Sequence, residues 1–160
     1  MNYDRLYKRA KKIIGNKTPL YKDCGFLCGK ACCRGDENTG MLLFPFEKTS
    51  LTVKENNGIR LAVCEGSCDR GERPLACMLF PFFPYISQDG RVRAVPDIRG
   101  RNICPIARNA KNIRMDIGFL IRVKKVGRLL CSDEKCRAFL CDISREADML
   151  SAFTENMSKI

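Results

Sequence analysis

The order of apolar and polar residues along the chain predicts helices at both ends and short strands between them. In residues 2–14 the apolar side chains recur every three or four positions with Arg and Lys between them, which predicts an amphipathic helix ending at Gly15. Helical spacing returns after Cys104-Pro105 and places one apolar face over residues 115–130. Ser132 and Asp142 are candidate N-caps, so we expect the last helix to begin after Asp142.

Two hairpins are predicted in the middle of the chain. Residues 51–54 and 59–63 favour strands, and Asn57-Gly58 between them is typical of a tight turn with positive φ angles. Residues 80–86 and 92–95 favour a second pair of strands around Asp89-Gly90. The sequence therefore predicts an α+β fold: a small cysteine-rich, metal-stapled domain with short antiparallel hairpins and helices at both ends.

Residues 15–40 contain four cysteines and five glycines but few large aliphatic side chains. Such a segment buries too little apolar surface to become ordered by itself. We expect a loop whose shape is imposed by whatever the sulfur atoms bind.

The chain has eleven cysteines and no histidine in 160 residues. Its first residues lack the apolar run of a secretory signal and no later run is long enough to span a membrane, so we expect a cytoplasmic protein without a membrane span. Stable disulfides are rare in a reducing cytosol, and an odd number of cysteines leaves one unpaired. A disulfide scaffold is therefore the weaker alternative, and metal binding is the stronger one.

Eight cysteines occur in short groups that suit metal binding, enough for one or two centres. Without histidine every soft ligand is sulfur, which predicts zinc held by four thiolates or an iron-sulfur cluster. Cys32 and Cys33 point to opposite sides of an extended segment, so we expect them to serve different centres, or one of them to pack in the interior. The candidate ligands are Cys24, Cys28, Cys32, Cys33, Cys64, Cys68, Cys77 and Cys104.

Three further cysteines lie in the C-terminal helical part, at Cys131, Cys136 and Cys141. Their spacing of five does not repeat on one helical face, so core packing is the favoured interpretation. A third metal site or a redox pair made from these three is the alternative.

The net charge of +11 raises the question of nucleic-acid binding. Eight thiolates and two Zn²⁺ ions add −8 and +4, which reduces the total to about +7. Much of the positive charge then balances the metal site. Solvated basic surfaces are the favoured interpretation, and nucleic acid is an alternative partner that is not favoured.

The motifs between residues 24 and 106 resemble a known group of proteins. They are Cys24-x₃-Cys28-x₃-Cys32-Cys33-Arg34, Cys64-x₃-Cys68, Arg73-Pro-Leu-Ala-Cys77 followed by Phe80-Pro-Phe82, and Cys104-Pro105. In this order they resemble the CxxCxxCC-type zinc- or iron-chelating family, whose members are often described as iron-sulfur-cluster proteins. The early cysteines here are separated by three residues where the family pattern has two. The resemblance implies metal chelation at these cysteines and no particular reaction.

The sequence thus predicts one domain over residues 1–160, with a cysteine-rich core at about 24–106 and a helical part at about 107–160. The leading hypothesis is a metal-binding protein that chelates zinc or an iron-sulfur cluster. One alternative is an iron-sulfur redox or methylase-like enzyme, because the family is similar to flagellin lysine N-methylases and the first three cysteines resemble the loop of radical S-adenosylmethionine enzymes. A third hypothesis is a zinc-stabilised module that binds nucleic acid or an acidic protein.

Overall fold

The first helix, α1 (Tyr3–Ile14), forms as its sequence pattern predicts. Asn2 caps it, since its side-chain oxygen accepts a hydrogen bond from the backbone N–H of Arg5 at 3.0 Å. Gly15 ends it with a φ of 56°, a conformation that favours glycine. The computed structural model describes residues 2–35, 39–66, 68–69 and 71–157.

Two antiparallel sheets occupy the middle of the chain. The first has the order β1-β3-β2, with strands β1 (Met41–Leu42), β2 (Thr52–Asn56) and β3 (Ile59–Val63). Asn57 and Gly58 turn between β2 and β3 with φ angles of 50° and 78°, as predicted. The second sheet pairs β4 (Phe82–Ile86) with β5 (Val92–Pro96).

The remaining helices are α2 (Leu75–Leu79), α3 (Pro105–Asn109), α4 (Ile117–Leu130) and α5 (Glu134–Met157). The chain is therefore α+β, with helices at both ends of short antiparallel strand pairs. No helix within the described ranges has the length and apolar character needed to cross a bilayer.

The prediction that the last helix begins after Asp142 is wrong. Asp133 supplies the N-terminal cap instead, because its carboxylate accepts a hydrogen bond from the backbone N–H of Cys136 at 2.9 Å. The helix then continues through Asp142, which is exposed. The helix continues because its buried side runs past this point without a break. Four buried residues at helical spacing lie on that side: Cys136, Leu140, Ile143 and Ala147.

Helix α4 lies at the centre of the core, packed between α1 and the β4–β5 hairpin. Its inward residues Phe119, Val123 and Val126 are fully buried. Gly127 faces the hairpin so closely that a Cβ atom there would lie 2.4 Å from Pro84 Cβ. This apolar core holds the helices and the second sheet together beside the cysteine-bearing segments.

Candidate metal centre

The eight cysteines predicted as ligands all line one cavity of about 990 Å³. They reach it from four separate parts of the chain: the 24–33 loop, the segment after β3, helix α2 and the start of α3. Cys64 and Cys104 are buried, and the other six are half-buried. Sulfur atoms far apart in sequence are thus gathered around a common space.

The first four cysteines lie in a loop made of two short 3₁₀ turns, Cys24–Leu27 and Ala31–Cys33. Backbone hydrogen bonds join the turns, since the N–H of Lys30 donates to Gly25 O at 3.0 Å and the N–H of Cys33 donates to Lys30 O at 2.8 Å. Lys30 has a φ of 59° between the turns. The loop therefore has hydrogen-bonded structure of its own. The sequence analysis expected its shape to come only from whatever the sulfur atoms bind.

The end of strand β3 brings Cys64 beside this loop. The N–H of Gly35 donates to the carbonyl oxygen of Cys64 at 2.9 Å, and Arg34 forms an antiparallel bridge with Glu65. These contacts place the segment after Cys33 alongside the segment that carries Cys64. Local sheet pairing thus joins two of the predicted ligand groups.

An arginine that sequence analysis did not assign to the site contacts one of the thiols. The Nε of Arg73 donates a hydrogen bond to Cys68 Sγ at 3.4 Å. Its charge also lowers the pKa of Cys33. Arg73 precedes Pro74 and α2, and this basic residue four positions before Cys77 was the signal available in the sequence.

Helix α2, which carries Cys77, is held at its first residue by a buried carboxylate. Glu47 is 1% exposed, and its Oε1 accepts a hydrogen bond from the backbone N–H of Leu75 at 2.6 Å. Its Oε2 accepts a longer bond of 3.4 Å from the N–H of Phe44. Burial raises the pKa of Glu47, against the effect of these N–H donors. Sequence analysis also missed Glu47, a lone acidic residue directly after an apolar run.

The electrostatic neighbours of the thiols separate them into two groups. In the first group, burial and then the charge of Cys104 raise the pKa of Cys24 to about 11. The pKa of Cys104 is raised by burial and then by Cys28, although the backbone amides at the start of α3 oppose the shift. Cys32 belongs here as well, because the charges of Cys28 and Cys24 contribute to its raised pKa after the larger effects of Cys33 and burial.

In the second group, Cys77 has its pKa raised to about 12, first by burial and then by the neighbouring charges of Cys68 and Cys33. Burial likewise raises the pKa of Cys64, and Cys68 and Cys33 add to the shift. The members of this second group are therefore Cys33, Cys64, Cys68 and Cys77, and those of the first are Cys24, Cys28, Cys32 and Cys104.

The adjacent residues Cys32 and Cys33 form the boundary between the groups. A hydrogen bond with Cys32 is the largest cause that lowers the pKa of Cys33, to about 6, and the charges of Arg73 and Lys30 act in the same direction. Burial opposes the shift. The lowered pKa favours the thiolate of Cys33 at neutral pH, the form that binds metal.

In residues 2–35, 39–66, 68–69 and 71–157, no three Cys, Asp or Glu side chains are close enough together to hold one metal ion. The eight thiols share a cavity and fall into neighbouring groups, without the closer approach that coordination requires. As donors they suit zinc or iron, because thiolates are soft ligands that these metals accept. They do not suit magnesium or calcium, which prefer oxygen.

The three C-terminal cysteines lie apart from this cavity. Cys136 is fully buried, and its sulfur lies 3.4 Å from the hydroxyl oxygen of Tyr7, while Cys131 packs against the same apolar core. Cys141 is half-buried on α5. Cys136 and Cys131 therefore pack with the core, as the spacing predicted.

No family model matches this chain, and no curated protein or solved structure matches it either.

Proposed function

We propose that the protein binds metal through its eight clustered cysteines, as two centres of four thiolates each. One centre comprises Cys24, Cys28, Cys32 and Cys104, and the other comprises Cys33, Cys64, Cys68 and Cys77. The observation that carries the proposal is the lining of a single cavity by all eight thiols, from four separate segments. We also propose that the chain is related to the CxxCxxCC-type chelating proteins, whose cysteine motifs it resembles.

The division into two centres is supported by backbone contacts as well as by charge. The Gly35–Cys64 hydrogen bond and the Arg34–Glu65 bridge connect Cys33 with the segment of Cys64 and Cys68. Cys24 packs against the core cluster that includes Cys104, and, after burial, the charge of Cys104 contributes to the raised pKa of Cys24. Cys32 and Cys33 lie in the same 3₁₀ turn and their side chains are hydrogen-bonded to each other, so the extended geometry expected from the sequence does not separate them. Their other neighbours support one centre each, because the charges of Cys28 and Cys24 act on Cys32 whereas Cys33 acts on Cys64 and Cys77.

Bound zinc would supply structural stability, and a bound iron-sulfur cluster would add electron transfer. The chain's own contribution is to hold the thiols near one another and to offset their charge. Thiolates repel one another, and the guanidinium of Arg73, which donates to Cys68, is placed to reduce that repulsion. Thiols with pKa values raised to about 11 and 12, such as Cys24 and Cys77, must release protons when metal binds.

Elemental analysis of protein purified without oxygen, together with its visible spectrum, tests the proposal. Two zinc ions per chain without colour would support two structural centres, and iron with acid-labile sulfide and visible absorption would support clusters. A parallel preparation in air separates the two cases, because clusters are lost on oxidation and zinc is retained. Protein that contains neither metal under both conditions contradicts the proposal.

A further inference from the structure

The positive charge of the chain is concentrated in two helices. Helices α1 and α4 contain nine of its 29 Lys and Arg residues but one of its 18 Asp and Glu residues, so they contribute +8 of the net +11. That acidic residue, Asp4, forms an ion pair with Lys48 at 3.0 Å. The remainder of the molecule is therefore close to neutral, although it is much larger.

The two helices lie side by side in opposite directions. At one end the guanidinium of Arg122 in α4 donates to the carbonyl oxygens of Ile13 and Ile14, at 3.1 and 3.2 Å. Next to them Lys17 pairs with Asp116 at 2.8 Å. At the other end Tyr3 lies near Asp133, which contributes to the raised pKa of Tyr3 after burial. The two helices are therefore antiparallel neighbours, and their exposed sides together form the outer surface of the pair.

This surface is basic and also carries two exposed isoleucines. Ile117 is 67% exposed and Ile121 is 47% exposed, one turn apart on α4. Neither helix contains Ser, Thr, Asn or Gln. We call the surface the α1–α4 basic face; with the two isoleucines, its exposed residues are Arg5, Lys8, Arg9, Lys12, Lys124, Lys125 and Arg128.

We propose that the α1–α4 basic face binds the surface of an anionic lipid bilayer. The basic side chains are attracted to the lipid headgroups, and Ile117 and Ile121 enter the headgroup region between them. The apolar stripe of α1 is buried in the core, with Ala10 and Ile14 fully inaccessible. Helix α1 therefore contributes charge from its outer side and does not insert. The interaction is independent of the cysteine centres.

The side-chain chemistry of the face favours lipid over nucleic acid. Readout of adenine uses amide side chains, which both helices lack, and single-stranded nucleic acid is held by exposed aromatic rings. The exposed apolar residues of the face are aliphatic instead. Two protruding isoleucines flanked by lysines suit a fluid apolar phase beneath an anionic surface.

Sedimentation of the full-length protein with vesicles tests this proposal. We expect binding to vesicles that contain phosphatidylglycerol, loss of binding at high salt and no binding to pure phosphatidylcholine. Removal of each basic residue near the surface should weaken binding about fivefold, so Lys124→Gln with Lys125→Gln should weaken it roughly 25-fold. Ile117→Ser with Ile121→Ser should weaken it without changing its dependence on salt.

The matched control is Lys54→Gln with Arg93→Gln, which removes two exposed charges outside the face. Circular dichroism verifies that each variant is folded. The proposal is overturned if anionic vesicles do not bind the protein at low salt, or if the control weakens binding as much as the α4 pair does. Binding to a DNA duplex or an RNA strand without binding to vesicles would assign the face to nucleic acid and would also overturn it.

Discussion

Among single residues, Glu47 connects the candidate centre to the body of the protein. Its carboxylate is buried and accepts the first free N–H of the helix that carries Cys77. Such an N–H has no partner within the helix, so an external acceptor stabilises the helix start. The position of Cys77 therefore depends on a residue thirty positions earlier in the chain.

Substitution of Glu47 tests this role. Glu47→Leu leaves the N–H of Leu75 without an acceptor in the interior and should cost about 1–3 kcal/mol of unfolding free energy. Glu47→Gln retains an oxygen for that bond and should cost less. Urea unfolding with both variants measures the difference, and equal costs would contradict the role of the carboxyl oxygen.

The buried carboxyl group of Glu47 also makes the stability of the protein depend on pH. The pKa of Glu47 is raised in the folded state from its usual value of 4.5, so its stabilising contribution is present below that value and is lost as the pH rises through the folded pKa. The stability of the native protein relative to Glu47→Gln should therefore fall from acidic to neutral pH. A constant difference over this range would contradict the raised pKa.

At the scale of secondary-structure elements, the contact between α4 and the β4–β5 hairpin depends on a glycine. Alanine usually stabilises a helix interior relative to glycine by about 1 kcal/mol. At Gly127, however, the added Cβ would lie 2.4 Å from Pro84 Cβ and 2.6 Å from Val92 Cγ1. Gly127→Ala should therefore destabilise the protein by about 1–3 kcal/mol. Lys124→Ala, at an exposed position of α4, is the control, and a higher melting temperature for Gly127→Ala would contradict the close packing.

The elements were largely predictable because their signals are local. The repeat of apolar residues gave α1, and Asn57-Gly58 and Asp89-Gly90 gave both hairpins. The candidate cap Ser132 lies one residue before the observed cap, Asp133, but the second candidate, Asp142, lies inside α5. The sequence could not show that the helix continues through Asp142, because this depends on which apolar residues meet the core. The contact of Glu47 with the start of α2 was unpredictable because the two are distant in sequence. The contact of Arg73 with Cys68 was unpredictable because it depends on the turn between them.

At the scale of the whole molecule, the structure has an apolar helical body with cysteine-bearing loops beside it. Bound metal should stabilise the cysteine-bearing loops more than the helical body. The body has an apolar core of its own, in which Phe119, Val123 and Val126 of α4 are fully buried. We therefore expect a chelator to accelerate amide hydrogen exchange in residues 24–33 and 64–77, and to leave α4 and β4–β5 almost unchanged. Chelator already saturated with zinc is the control. Unchanged exchange in the loops would contradict metal binding there.

We propose that the eight thiols form two separate metal centres, divided between Cys32 and Cys33. The metal content per chain, measured by elemental analysis on single and double variants with Cys141→Ser as the control, tests this division. We expect Cys24→Ser and Cys32→Ser each to remove one centre, and the two together to remove no more than either alone. Cys32→Ser with Cys33→Ser should remove both centres. Metal content that is absent from the native protein, or equal in all these variants, would contradict the account.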